Sequence, residues 1–315
     1  MRTAFIQELL QQAREHRDIF LVVGDLGFSV VEPFAQEFPD RFLNAGVAEQ
    51  NMTGSAAGLA SEGYHVFTYS IANFPTFRCL EQIRNDVAYH RLPVTVVSVG
   101  AGVAYGNLGY SHHAVQDIAV MRSLPEMTIL SPADPGETRE CVRWLAEHPC
   151  PSYLRIGKAG EPGLHSVRGL LAGPLEIVRG NDECALVCTG SILKVALEAE
   201  QKLRAQGVQV GVFSCPWLQP LTPQFFGPLE RFQRLLVLEE HVSAGGLSSL
   251  LRDHHLEKTR LTSLALPSSV LLEVGSQEQL RQRAGLTTEA VTACVLDSRF
   301  VSCPGNEVKH HDSHV

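Results

Sequence analysis

The chain has 315 residues, 44% hydrophobic and 19% charged, with a formal net charge of −8. That is room for two ordinary domains with sizeable cores. The acidic balance, without a Lys/Arg cluster, argues against a nucleic-acid footprint, and no apolar run reaches the roughly 18 residues of a membrane span. The N-terminal run Met1 to Glu8 lacks a signal-peptide core and carries an acid early. The eight cysteines form no C-x-x-C pair. Cys184 and Cys188 fall in an apolar run that reads as a buried strand and pack there as small hydrophobes, so no disulfide or metal role is expected. Together these features predict a protein of a reducing cytoplasm.

In chain order, Phe5 to His16 has helical periodicity and Ile19 to Gly24 is an apolar strand. A helix of small residues follows from Ala48 to Ser61. His65 to Ser70 reads as a strand and Phe77 to His90 as an amphipathic helix. Val94 to Val99 is a strand, and Met127–Leu130, Gly136–Glu147 and Ser152–Ile156 continue the alternation. Continuous Val/Ile/Leu strands between helices predict a parallel sheet covered on both faces. A Gly- and Pro-rich linker is expected over 158–174. Beyond it, strands are predicted at Cys184–Gly190, Val208–Ser214, Leu235–Glu239 and Leu261–Leu266, with helices over Leu193–Gln206 and after Gly245-Gly246-Leu247. Another helix begins within Glu273 to Leu280. The expected organisation is α/β with two doubly wound domains: a mainly parallel domain over 1–157 and a smaller one over 175–300. The tail 301–315 lacks periodicity and is expected to be disordered, its histidines at most adventitious metal ligands.

Glu49 is the chemically conspicuous residue. It opens the small-residue helix as its lone ionisable side chain. An acid in a first turn is favoured by the helix dipole. A helix of Gly, Ala and Ser also packs close and dry, and a carboxylate buried there needs a partner or a raised pKa.

Four motifs bear on Glu49. The first is Asn44-Ala45-Gly46-Val47-Ala48-Glu49-Gln50-Asn51-Met52. The second runs from Phe67-Thr68-Tyr69-Ser70 through Phe74 and Arg78 to Glu81-Gln82-Ile83-Arg84. The third is Gly109-Tyr110-Ser111-His112-His113-Ala114-Val115-Gln116-Asp117-Ile118-Ala119. The fourth joins Ser123-Leu124-Pro125-Glu126-Met127 to Ser131-Pro132-Ala133-Asp134. In this order and spacing they resemble the pyrimidine-binding section of the transketolase family, and the likeness extends over nearly the whole chain as that domain plus the family's C-terminal domain.

The resemblance implies a thiamin diphosphate enzyme that moves a two-carbon ketol unit from a ketose (phosphate) to an aldose. Glu49 takes the place of the glutamate that meets the aminopyrimidine ring. The family's diphosphate domain, with its G-D-G signature, is missing, since Gly24-Asp25-Leu26-Gly27 aligns instead with the start of the pyrimidine domain. Another polypeptide is therefore expected to supply that domain and the ligands for Mg2+ or Ca2+, in a two-plus-two heterotetramer; no metal ligand is assigned to this chain.

Phe74 is the candidate to stack on the pyrimidine, with Phe67 and Phe77 beside it; a core role for these rings is the alternative. Asp25 is expected to support the cofactor pocket. His112 matches a family histidine near the donor sugar, where it would donate hydrogen bonds or shuttle a proton, and His113 lies next to it. Arg2, Ser29, Arg155 and Lys158 match or neighbour family positions that grip phosphate, and a lysine at 158 where the family has arginine leaves room for a non-phosphorylated substrate. Other thiamin enzymes share this two-domain section: deoxyxylulose-phosphate synthase and the beta subunits of oxoacid dehydrogenases. A non-catalytic regulatory paralogue is the reading from outside enzymology.

Overall fold

The computed structural model describes residues 1–169, 172–222, 225–254 and 259–297; the expected tail lies outside them. Helix α1 (Arg2–Glu15) leads into β1 (Ile19–Val23), followed by α2 (Glu32–Glu37), β2 (Phe42–Asn44), α3 (Glu49–Ser61) and β3 (His65–Ile71). The segment expected as one amphipathic helix is broken into a 3-10 turn (Phe77–Cys79), the short α4 (Leu80–Gln82) and a π-turn (Ile83–Ala88). Then come β4 (Val94–Val99), α5 (Asp117–Arg122), β5 (Thr128–Leu130), α6 (Pro135–Glu147) and β6 (Ser152–Ile156).

The second half contains β7 (Leu175–Val178), β8 (Cys184–Thr189), α7 (Leu193–Ala205), β9 (Gly211–Ser214), β10 (Trp217–Gln219), α8 (Gly227–Glu230), β11 (Arg234–Val242), α9 (Leu247–Asp253), β12 (Arg260–Leu266), α10 (Gln277–Arg283) and α11 (Thr288–Leu296). The helix expected to begin within Glu273–Leu280 is α10, which starts at Gln277 behind a Ser276 capping box with Gln279. Helix α11 follows it and has no counterpart among the predicted elements.

The strands form two sheets, ordered β10-β5-β6-β4-β3-β1-β2 and β12-β11-β8-β9-β7. Every pairing is parallel except β10 on β5 and β7 on β9. Strand β10 is the unexpected member: it belongs to the second half of the chain yet extends the first sheet, with Trp217 opposite Leu130 and edge-on to Trp144 at 4.7 Å. Three residues are too few to show a pattern in sequence. The segment expected as a linker is pinned to the first half: Leu164 and His165 donate their backbone N–H to Asp134, Gly169 donates its own to Glu140, and Glu161 pairs with the Met1 N-terminus. Asp134 also caps α6 by accepting the Glu137 N–H, with Pro135 in the first turn.

Alternation along β3 decides what faces the site. Phe67 and Tyr69 pack with Phe5 of α1 on one side of the sheet. Val66 packs with Met52 and Ala56 of α3 on the other, the side to which Ser70 also points. A further core between the two sheets joins Ile83, Val96, Ile118 and Tyr153 to Ala185, Val187, Leu235 and Val237. Six of the described cysteines are free, five of them buried; Cys184 and Cys188 lie inside β8, packed as small hydrophobes. Cys294 is disulfide-bonded.

Candidate active site

The site lies at the carboxyl ends of β1, β3 and β4, where loops of an open parallel sheet converge. Glu49 is the first residue of α3 and only 1% exposed. The helix is tucked close because its inner face is Thr53, Ala56, Ala57 and Ala60. Gly24, just past β1, keeps the approach open: a Cβ there would lie 3.6 Å from Glu49 Cγ and 3.3 Å from Ser70 Oγ.

The partner that a buried carboxylate requires is Arg78, whose Nη1 lies 2.6 Å from Glu49 Oε2. The other oxygen, Oε1, receives only a long bond of 3.4 Å from Ser70 Oγ. The carboxylate is therefore held on one side and nearly unengaged on the other. The Arg78 guanidinium also lies over the Phe74 ring, 4.7 Å from its centroid, and Phe74 meets His112 edge-on at 5.2 Å. Glu49, Arg78, Phe74 and His112 thus form one continuous row.

A second tie fixes the histidine loop to this row. The Asn73 side-chain amide donates to the carbonyls of Ser111 and His113, at 3.2 and 2.7 Å. Bridges from Ala114 to Ala101 and Gly102 close the loop's far end. Gly102 has φ +63, and a side chain there would strike Glu240. His112 is half-buried and its Nδ1 meets Ser111 Oγ at 3.0 Å. His113 is buried, with neither ring nitrogen hydrogen-bonded, and burial pushes its pKa down, so it stays a neutral imidazole.

The other sequence-derived candidates divide. Asp25 is exposed, with φ +52, and exchanges hydrogen bonds with Asn44, which also accepts from Gly46. It braces the approach to α3. Arg2 is half-buried; its charge lies by the phenols of Tyr69 and Tyr105, and burial raises both phenol pKa values against it. Ser29 is exposed in a left-handed turn and gives its N–H to Glu32. Lys158 is half-buried and lines a cleft of about 540 Å³ with Lys194 and Arg281.

Two candidates need correction. Phe67 is on the far face of β3, fully buried against Phe5 and His65, so it is a core ring. Arg155, expected as a phosphate ligand, is 1% exposed, and its Nε binds Asp117 Oδ2 at 2.7 Å. Its Nη2 serves the carbonyls of Ala114 and Glu240, and Tyr153 donates to the same Asp117 oxygen. This guanidinium is committed to joining β6, α5 and β11. Phe77 is 41% exposed, on the turn that carries Arg78. The functional residues that sequence reasoning does not single out are Arg78, Ser70 and Asn73. All three stand within the Phe67–Arg84 motif, but their roles depend on contacts with Glu49 and the histidine loop.

Residues 1–160 match the family description "Transketolase, pyrimidine binding domain", and residues 173–291 match "Transketolase, C-terminal domain". The chain belongs to the transketolase family. Among its relatives, one of the apulose-4-phosphate transketolase subunits of Phocaeicola vulgatus is 32% identical over 94% of this chain and 96% of its own length. A "Putative transketolase C-terminal section" of Methanocaldococcus jannaschii is 30% identical over 94% of this chain and 95% of its own. A 1-deoxy-D-xylulose-5-phosphate synthase of Geobacter sulfurreducens is 32% identical, but this chain spans only 46% of it. Among solved structures, a "Split gene transketolase, inactive beta4 tetramer" superposes with a TM-score of 0.82 at 32% identity, covering 93% of this chain and 96% of that one. The chain is thus a transketolase-like C-terminal subunit, built as two α/β domains. Among the described residues no group of three or more His, Cys, Asp or Glu side chains could hold a metal ion, and no helix is long and apolar enough to cross a membrane.

Proposed function

We propose that this chain works with a separate diphosphate-domain subunit to transfer a two-carbon ketol unit from a ketose or ketose phosphate to an aldose, using thiamin diphosphate. The observation that carries this reading is Glu49: buried, held through one oxygen by Arg78, which itself lies over Phe74, and with its other oxygen reached only by Ser70 at 3.4 Å. These residues fit an aminopyrimidine, which needs a dry carboxylate at its ring nitrogen and an aromatic face to lie against. When bound, thiamin diphosphate supplies the carbanion-stabilising chemistry of ketol cleavage.

Glu49 Oε1 holds or releases the proton at that ring nitrogen. Phe74 keeps the ring flat, with the exposed Phe77 as a lesser candidate, and Asp25 with Asn44 holds the loop before α3. His112 donates to, or takes a proton from, a sugar hydroxyl. His113, neutral and unpaired, offers a further polar contact. Arg2, Ser29 and Lys158 are the contacts for the sugar's far end; Arg155 is not among them. The diphosphate and its Mg2+ or Ca2+ fall to the partner, in a cytoplasmic two-plus-two assembly. The domains in this reading are 1–157 and 175–300, joined by 158–174.

The test is turnover by the reconstituted pair. Glu49→Ala should lower kcat/KM by about 100-fold or more, the low end for losing a positioned acid–base group. Near-normal turnover removes Glu49 from the chemistry. Assaying ketol transfer beside oxoacid decarboxylation separates this reading from the synthase and dehydrogenase alternatives, and no turnover of either kind leaves the regulatory one.

A further inference from the structure

In the chain by itself, we propose, Arg78 holds the seat of the cofactor's aminopyrimidine, and assembly exchanges its guanidinium for that ring. The inference rests on the reading of Glu49 given above.

The guanidinium stands where the ring would lie: it covers the face of Phe74 and engages the same buried carboxylate through Oε2, leaving Oε1 nearly free. It donates to the buried Glu49 carboxylate at 2.6 Å and lies over the face of Phe74 at 4.7 Å. A guanidinium is planar and delocalised, so it can bind a carboxylate edge-on while stacking on an aromatic face. An aminopyrimidine is a planar heterocycle with the same two needs, and one face of Phe74 cannot serve both at once.

The arrangement has a physical reason. A carboxylate sealed under a helix of small residues is costly without a counter-charge. Half of this pocket's walls belong to another chain, so Glu49 needs an internal partner until they arrive. Arg78 can move without disturbing the core because its side chain is 46% exposed and rides on a 3-10 turn. That turn is itself anchored behind the guanidinium, by Thr76 Oγ1 on the Ala72 carbonyl and Cys79 Sγ on the Phe74 carbonyl. Arg78 can therefore swing without unmaking Phe74's position.

A seat filled by the protein's own side chain taxes the incoming ligand: apparent affinity falls by the fraction of molecules in which the seat is open. If the seat is filled nine-tenths of the time, emptying it tightens binding about tenfold. The experiment is calorimetry of thiamin diphosphate binding to the reconstituted pair, comparing wild type with Arg78→Met and Arg78→Lys. Met keeps the length of the side chain without the charge; Lys keeps the charge without the plane. Met should bind the cofactor several-fold to tenfold more tightly, with Lys between Met and wild type. Unchanged or weaker binding by a folded Met variant overturns the proposal.

A second measurement needs no partner. The fragment 4-amino-2-methylpyrimidine, followed by ligand-observed NMR, should give saturation transfer with the Arg78→Met chain. The signal should be weaker with wild type and lost when Glu49→Gln is added. Equal signals from wild type and the Met variant also overturn it. A wild-type pair that binds no thiamin diphosphate at all sinks the underlying reading of Glu49, and this inference with it. Cofactor binding by wild type with no gain in the Met variant sinks this inference alone.

Discussion

Replacing Arg155 is the most discriminating perturbation, because it separates a phosphate ligand from an internal strut. The side chain is 1% exposed and gives three hydrogen bonds: Nε to Asp117 at 2.7 Å, and Nη2 to the carbonyls of Ala114 and Glu240 at 2.9 and 3.0 Å. In Arg155→Met, Asp117 keeps only the Tyr153 hydroxyl at 2.6 Å and a distant His241, 3.9 Å away. That histidine is no substitute, because burial pushes its pKa down to about 4 and leaves it neutral. Removing one partner of a buried pair costs about 3–5 kcal/mol, and each carbonyl left dry adds to the upper end. Against a typical total of about 5–15 kcal/mol, the loss is large. Since Arg155 ties β6 to α5 and β11, both halves should weaken together. Urea denaturation followed by tryptophan fluorescence and circular dichroism should show one shifted transition with an unchanged slope. The double variant Arg155→Met/Asp117→Leu should recover much of the loss, because apolar replacements of a buried pair are often neutral. A cost below about 1 kcal/mol for Arg155→Met, the usual scale for exposed ion pairs, would falsify the strut assignment.

Lys158→Ala should stay within about 0.5 kcal/mol of wild type in stability, as half-exposed substitutions do. In the reconstituted enzyme it should raise KM for phosphorylated sugars, and an equal effect on unphosphorylated ones would remove it from phosphate contact. The two phenylalanines should split cleanly. Phe67→Ala should cost about 3–5 kcal/mol by opening a core cavity, whereas Phe74→Ala should mainly weaken cofactor binding, measured by calorimetry; the reverse pattern refutes the face assignment of β3. Burial also holds His65 near pKa 4, against an ordinary value of 6.5. Between those limits the unfolded chain binds the extra proton, so this contribution to stability is lost as pH falls from about 6.5 to 4, at up to about 1.4 kcal/mol per pH unit. The gap between wild type and His65→Gln should therefore change across that range and be flat above it; a constant gap would show that His65 is not buried neutral.

The strands and long helices of the first half are legible in sequence because their pattern is local. Ile19–Val23 and Val94–Val99 are largely apolar, β-branched runs long enough to mark their own limits. Glu49 is legible for the same reason: one acid opening a helix of glycine, alanine and serine announces a buried charge whatever surrounds it. Strand β10 is not legible, since three residues carry no period and its partner β5 lies far away in the chain. The broken helix at Phe77–Ala88 escapes prediction because apolar spacing alone does not distinguish a π-turn from an α-turn.

The roles of the arginines show where sequence stops. Arg155 and Arg78 are alike in composition and both stand in or near family motifs. Packing makes the first a sealed strut and leaves the second half in solvent, on a carboxylate and an aromatic ring. Likewise Phe67 and Phe74 lie seven residues apart, and only the alternation of β3 and the turn after it send one into the core and the other to the site. The chain's own pattern determined its α/β class, its strand runs and its buried acid. Which charges are spent inside and which remain available was decided by tertiary structure, because a guanidinium's freedom depends on the acceptors that folding places around it, and those come from distant segments.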